Sequence, residues 1–391
     1  MKSNWKTKKI GEIIISTATV DPRKNPGKLF NYIDVSSVSN RTLSIVGTTK
    51  LFGSDAPSRA RRIVCNGDVI FATVRPTLRR IAIVPEHLDG QVCSTGYFVF
   101  RTNPDVEAKF LFYFLQTDFF MSEMEKLQSG TSYPAVNDTQ VKQVYIKYPT
   151  TQEQKRIVAI LDQAFADIEK IRANSEKNLK NARELFESYL LGVFGKKCVE
   201  RNLSEIATIL MGQSPPGDSY NTEGVGVPLI NGPVEFGKHA FSKTIKSKFT
   251  TKPTKMCKRG DLILCVRGST TGRMNIAGFD ACIGRGVAAI RSEHYQNWIN
   301  HYINFRRDYI FSLGTGSTFP NVSNIHLSEL KIAIPSEKDM QIIIGSIEKL
   351  NEHRVTLEKI YNKKLSELNH LKKSLLHQAF TGQLTKQEVS A

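Results

Sequence analysis

Gly130-Thr131-Ser132-Tyr133-Pro134-Ala135-Val136-Asn137 returns 186 residues later as Gly316-Ser317-Thr318-Phe319-Pro320-Asn321-Val322-Ser323. The same offset carries Ile157 onto Ile343, Leu161 onto Ile347, Leu190 onto Leu376 and Phe194 onto Phe380. Upstream, Gly67-Asp68-Val69-Ile70 matches Gly260-Asp261-Leu262-Ile263 at an offset of 193, and Arg75 matches Arg267 at 192. Solenoid units run roughly 20–50 residues, so a period this long marks two copies of a domain. Two like modules on one chain suit a partner that itself offers two sites.

Each copy has one plan, a mixed α/β block followed by a long helix. In the first, 69–74, 81–84, 97–100 and 144–146 are short β-branched or aromatic runs bounded by Gly, Pro or Asp, and read as strands. Residues 110–127 have helical periodicity with aromatic anchors. The second offers strands over 262–266, 287–290 and 330–334. Between Gln152 and Phe194 there is no Pro, and no Gly before Gly192. Ile157, Leu161, Ala164, Ile168, Ile171, Ser175, Asn178, Ala182, Leu185 and Tyr189 follow alternating steps of four and three, a coiled-coil seam. Ile343, Ile347, Leu350, Arg354, Leu357, Tyr361, Lys364, Leu368, Leu371 and Leu375 repeat it. At ~1.5 Å per residue each helix is about 60 Å long. Neither buries its stripe alone, so the two are expected to pair, antiparallel if a pseudo-twofold relates the halves. The polar layers, Ser175 with Asn178 and Arg354 with Lys364, either set register or face solvent. The fold expected is therefore two copies of an α/β (mixed α+β) block joined by a long antiparallel two-helix coiled coil. Its boundaries are 1–150, 151–196, 197–335 and 336–391.

The net charge of +17 is unevenly placed. Residues 1–150 and 197–335 each carry +7, against +1 for 151–196 and +2 for 336–391. Positive charge thus sits in the blocks. A polyanion is the natural partner, because Lys and Arg displace counterions from phosphates; the plainer alternative is a merely basic surface. No apolar run approaches the ~20 residues of a membrane span, and basic, polar Met1–Lys9 leads into no signal-peptide core, so cytoplasm is expected. The six cysteines form no Cys-x-x-Cys pair or zinc spacing and read as reduced thiols.

Four features resemble the specificity subunit of type I restriction–modification systems. Residues 148–162, Tyr-Pro-Thr-Thr-Gln-Glu-Gln-Lys-Arg-Ile-Val-Ala-Ile-Leu-Asp, are similar to the start of that family's first conserved helix. Residues 371–384, Leu-Lys-Lys-Ser-Leu-Leu-His-Gln-Ala-Phe-Thr-Gly-Gln-Leu, resemble its C-terminal signature. The paired Gly-Thr-x-Tyr-Pro and Gly-Ser-x-Phe-Pro loops, and the paired Gly-Asp strands ending in Val-Arg, recur in its target recognition domains. Two departures stand out: the second helix begins Pro335-Ser336-Glu337-Lys338-Asp339-Met340-Gln341, without the Gln-Glu-Gln of the first, and the first ends without Thr-Gly-x-Leu. The resemblance implies target recognition domains at 1–150 and 197–335, each reading half of a split double-stranded DNA target, with the helices fixing the gap. It implies two modification (methyltransferase) subunits using S-adenosylmethionine, and motor-nuclease restriction subunits using ATP and Mg, as partners. No cofactor or metal is expected on this chain.

Catalytic motifs are absent. There is no Gly-x-x-x-x-Gly-Lys-Ser/Thr loop and no His-Glu-x-x-His; Ser214-Pro215-Pro216-Gly217 fails as an amino-methyltransferase motif. The Gly268–Arg273 stretch either cradles a phosphate or turns between strands. DNA-contact candidates are Arg59, Arg61 and Arg62, then Arg75, Arg79 and Arg80 on the loop leaving the 69–74 strand, with Arg267, Arg273 and Arg285 as counterparts. The guanidinium fork pairs with guanine or grips phosphate; an ordinary ion pair is the alternative. Tyr133 and Phe319 either stack on a base or plug the core. Lys243, Lys246, Lys248, Lys252, Lys255 and Lys258 form a stripe suited to phosphates. The expected function is a non-catalytic, sequence-specific DNA-binding scaffold. A single-chain nuclease with unrecognised carboxylates is the alternative, and a pure coiled-coil assembly protein is a third reading that the basic blocks oppose.

Overall fold

The structure, a computed structural model, describes residues 5–195, 198–315 and 320–385. Phe319 lies outside the described residues. The chain forms two compact units: unit 1 takes in the chain up to Lys177 and from Tyr361 onward, and unit 2 is Asn178–Ile360. Among the described residues no helix is long and apolar enough to cross a membrane.

Unit 1 is built around strands β1 (Val69–Ala72), β2 (Ile81–Ile83) and β3 (Tyr97–Thr102). With Ile14–Ile15 they form an antiparallel sheet in the order Ile14–Ile15, β3, β1, β2. A second sheet runs Thr49–Phe52, Leu29–Ile33, Val92–Ser94, Ala60–Ile63, its only parallel pair being Leu29–Ile33 with Val92–Ser94. All four residues of β1 are buried, which explains its unbroken apolar run. Val69 and Phe71 enter the core shared with the helices, while Ile70 and Ala72 enter the core with Ile33, Val84 and Cys93. The helical stretch expected as one piece is two, α1 (Ala108–Phe114) and α2 (Asp118–Leu127). Thr117 makes the break: its hydroxyl accepts the Phe120 N–H at 3.2 Å and caps α2.

Unit 2 repeats the plan with β4 (Leu262–Cys265), β5 (Met274–Ile276) and β6 (Val287–Arg291). Its first sheet runs Thr208–Met211, β6, β4, β5, all antiparallel. Its second again holds one parallel pair, Val227–Ile230 with Ala281–Ile283. Leu262 and Leu264 face one core, Ile263 and Cys265 the other, the alternation of β1. Helices α4 (Gln296–Phe305) and α5 (Arg307–Ser312) stand where α1 and α2 stand in unit 1.

The long helices are α3 (Thr151–Phe194) and α6 (Glu337–Phe380). Within unit 1 the Lys372 ammonium lies 4.7 Å over the Phe165 ring, and Arg172 donates to Asn369. Within unit 2 Arg354 lies 5.3 Å over Phe186, and Arg183 pairs with Glu358 at 2.8 Å. Numbers rise on one helix as they fall on the other, so the packing is antiparallel in each unit.

The seam differs from the sequence expectation at alternate layers between 171 and 185 and between 357 and 371. Ile157, Leu161, Ile168, Ile343, Ile347, Leu350, Leu368 and Leu375 are buried or half-buried. Ile171, Leu185, Leu357 and Leu371 are instead exposed, Leu185 by 69%. The covered positions lie one residue onward, at Arg172, Phe186, Glu358 and Lys372. A four-then-three and a three-then-four repeat share every other position, so periodicity alone does not separate them. Apolarity favours Ile171 and Leu371, but the methylene stems of Arg172 and Lys372 cover the contact as well. Of the polar layers, Ser175 is buried with its hydroxyl donating to the Ile171 carbonyl at 2.8 Å, whereas Asn178 and Lys364 are exposed.

Both ends of α3 are anchored. Gln154 is fully buried; its amide donates to the Asp105 and Pro149 carbonyls and its oxygen accepts the Glu107 N–H, each at 2.9 Å. This is what the first glutamine-rich helix start does. Met340 takes the corresponding place in α6 and packs as a plain apolar side chain. At the far end Phe194 sits among Trp298, Tyr302 and Phe305, and in unit 1 Phe380 likewise meets Phe110 and Phe114.

Candidate nucleic-acid interface

The Gly-Asp turns set up the loops that carry the candidate residues. Gly67 (φ +83°) and Gly260 (φ +96°) take the left-handed conformation at the third position of a tight turn, where a side chain is strained. The next residue, Asp68, is buried; its carboxylate accepts the Cys65 N–H at 2.7 Å and a two-pronged bond from Arg101 at 2.9 and 2.7 Å. Asp261 does the same with the Lys258 N–H and Arg291. Sequence reading missed these pairs. The signal was present, since both copies have an Asp before the strand and an Arg ending a strand beside it.

From Asp68 the chain runs through β1 to Arg75. The two loops singled out separately in the sequence meet here. The Val136 N–H donates to Thr73 and the Arg75 N–H to Pro134, at 3.0 and 2.7 Å. The Arg75 guanidinium lies 4.8 Å over the Tyr133 ring, and Tyr133 is 71% exposed. Tyr133 is therefore no core plug. Arg75 and Arg79 have φ of +50° and +54°, left-handed values that cost a non-glycine residue roughly 1–2 kcal/mol.

Four of the other candidate arginines of this unit are engaged within it. Arg61 pairs with Asp21 at 2.8 Å, Arg62 with Asp138 at 2.9 Å and Arg79 with Asp118 at 2.8 Å. Arg80 donates to the Val35 carbonyl at 2.6 Å. All four, expected as DNA contacts, have a carboxylate or carbonyl partner within their own unit. Arg79, then Lys373, hold the Asp118 carboxyl below the ordinary aspartate range. Arg59 is exposed with no acidic partner among the described residues.

In unit 2 the Val322 N–H donates to Val266 and the Gly268 N–H to Pro320, the same ties as in unit 1. They place Gly268 opposite Arg75 and Arg267 opposite Val74, a correction of one residue to the Arg75–Arg267 match. Gly272 (φ +83°) likewise replaces Arg79. The Gly268–Arg273 stretch is a strand-to-strand turn: the Thr271, Gly272 and Arg273 N–H groups donate to the Gly268, Cys265 and Thr270 carbonyls, so they are spent on the turn itself. Arg267, Arg285 and Lys255 are exposed, and Arg273 is half-buried. Of the lysine stripe, Lys252 pairs with Asp218 and Lys246 covers the Phe279 ring. Among the described residues no cluster of His, Cys, Asp and Glu can hold a metal ion.

Duplicated α/β units with paired long helices and exposed cations define a protein built to hold two basic surfaces on one chain. The family model for the type I restriction modification DNA specificity domain matches residues 2–179 and 195–368, and the chain belongs to that family. It is 27% identical to the putative type I restriction enzyme MjaX specificity subunit of Methanocaldococcus jannaschii, over 96% of this chain and 92% of that one. The crystal structure of the HsdS subunit from Thermoanaerobacter tengcongensis matches with a TM-score of 0.70 and 32% identity, covering 98% of each chain. A chain from a study of complex assembly and conformational transition of the type I R-M system matches at 0.87 and 33%, covering 97% of this chain and 98% of that one.

Proposed function

We propose that this chain supplies the DNA sequence specificity of a type I restriction–modification complex and has no active site of its own. Each unit reads one half of a bipartite target in double-stranded DNA. The paired helices set the gap and dock two modification subunits, and restriction subunits join them in a cytoplasmic assembly. S-adenosylmethionine, ATP and Mg act in those partners. Family membership supports the role. The observation that carries the reading to a residue is Arg75, exposed, seated on Tyr133 and kept in a strained conformation that nothing in the packing requires of an arginine. Arg59, Tyr133, Lys255, Arg267, Arg273 and Arg285 complete the proposed contact set.

Arg75→Ala is expected to weaken binding to the cognate duplex by about 5- to 150-fold, the effect of removing one good base or phosphate interaction. It should relax selectivity in the first half-site alone and leave partner assembly intact. Equilibrium binding to duplexes altered in either half checks this; unchanged affinity and selectivity removes Arg75 from the interface. Deleting one heptad from both α3 and α6 shortens the pair by about 10 Å, close to three base pairs at ~3.4 Å each. Sequencing of methylated sites in cells carrying the shortened chain should then show a smaller gap, and an unaltered gap would contradict the ruler role.

A further inference from the structure

The corner formed by the β4–β5 turn and the start of α5 differs in charge from its counterpart in unit 1. In unit 1, Arg79 pairs with Asp118, the first residue of α2, so cation and anion meet inside the unit. In unit 2 both partners have changed: Gly272 replaces Arg79, and Arg307 opens α5 where Asp118 opens α2. The turn lies against the helix only because it has glycine there. A Cβ on Gly272 would fall 2.9 Å from the Arg307 carbonyl oxygen. The result is a cavity of about 240 Å³ whose lining includes Lys238, His239, Arg273, Asn304 and Arg307. No carboxylate lines it, and among the described residues no ion pair reaches its cations.

Three fixed positive charges around one concave volume repel each other, and an anion relieves that repulsion. Two guanidinium forks, an ammonium and the Asn304 amide supply donors from several directions, the set that suits a tetrahedral oxyanion. We infer that this corner of unit 2 is a phosphate-class oxyanion site, filled by a backbone phosphate of bound duplex or by free phosphate. Unit 1 closes the same corner with its own carboxylate. The duplex source rests on the proposed function; the anion chemistry does not.

The test uses the full chain and two probes, inorganic phosphate followed by 31P line broadening and a mixed-sequence duplex titrated across a salt series. In Arg273→Gln/Arg307→Gln the phosphate response should vanish. If the duplex is the source, the slope of log affinity against log salt should also become shallower by about 0.9, the change expected when the chain neutralises one backbone phosphate fewer. Loss of the phosphate response with an unchanged slope assigns the site to free phosphate. Arg307→Lys alone should keep most of the response, since charge is what it supplies. If the double variant melts like the parent and neither probe changes, the inference is overturned. It is also overturned if Arg307→Lys reduces the response as much as the double variant does, because packing would then explain the effect. Failure of the parent chain to bind duplex at all would reject the functional reading instead and leave the phosphate arm to decide this one.

Discussion

Asp68→Ala should destabilise unit 1 by about 3–5 kcal/mol, the cost of removing one partner of a buried, hydrogen-bonded ion pair. Asp68 is 2% exposed, and three donors converge on its carboxylate: the Cys65 N–H and two nitrogens of Arg101. Alanine leaves all three unsatisfied, and Arg101, its side chain only 26% exposed, keeps its charge. Asp68→Asn keeps an acceptor for the Cys65 N–H and should cost less. Asp68→Ala/Arg101→Met removes the stranded charge and should recover part of the stability. Denaturant unfolding of the four proteins checks the ordering. If Asp68→Ala stays within about 0.5 kcal/mol of the parent, as an ordinary surface substitution does, the pair is a spectator. Because β1 runs from Asp68 toward Arg75, the same substitution should loosen the proposed reading loop, and duplex affinity should fall with stability. Asp261→Ala makes the matching prediction for unit 2, with Arg291 left unpaired.

The Gly-Asp pair also shows what the sequence made legible and what it hid. The repeat was visible because glycine at a left-handed turn and an apolar run buried on both faces leave marks that survive divergence. Arg75 and Arg267 align by residue type, yet hydrogen bonding matches Arg75 to Gly268. A backbone position that demands positive φ is occupied by glycine in one copy and by arginine in the other, and side-chain identity misleads there. The seam failed for a related reason. Ile171 and Arg172 both lie near the stripe, and only the partner helix decides which one it covers. The arginine clusters could not be sorted by eye, because whether Arg61, Arg62 or Arg79 meets Asp21, Asp138 or Asp118 is settled by tertiary contacts 40, 76 and 39 residues away. Arg75 stands apart because its guanidinium meets an aromatic ring and the Ser132 carbonyl rather than a carboxylate.

Phe194→Ala should cost unit 2 about 3–5 kcal/mol, the range for truncating a buried aromatic ring. Phe194 is 6% exposed and packs on three rings at once, Trp298 at 5.1 Å, Tyr302 at 5.4 Å and Phe305 at 5.0 Å between centroids. Little can close over the gap, since Trp298 is fixed by its own indole bond to the Ala333 carbonyl. Phe380, its repeat counterpart, meets two rings and is only half-buried beside an apolar groove in unit 1, so Phe380→Ala should cost less. The location of the damage matters more than its size. Helix α3 is anchored in unit 1 by Gln154 but its last turns belong to the core of unit 2. Hydrogen exchange in Phe194→Ala should therefore accelerate across Gln296–Phe305 while β1 and β3 keep their protection. Equal loss of protection in both sets of amides would mean that the two cores unfold as one, and that the helix ends are not separately anchored.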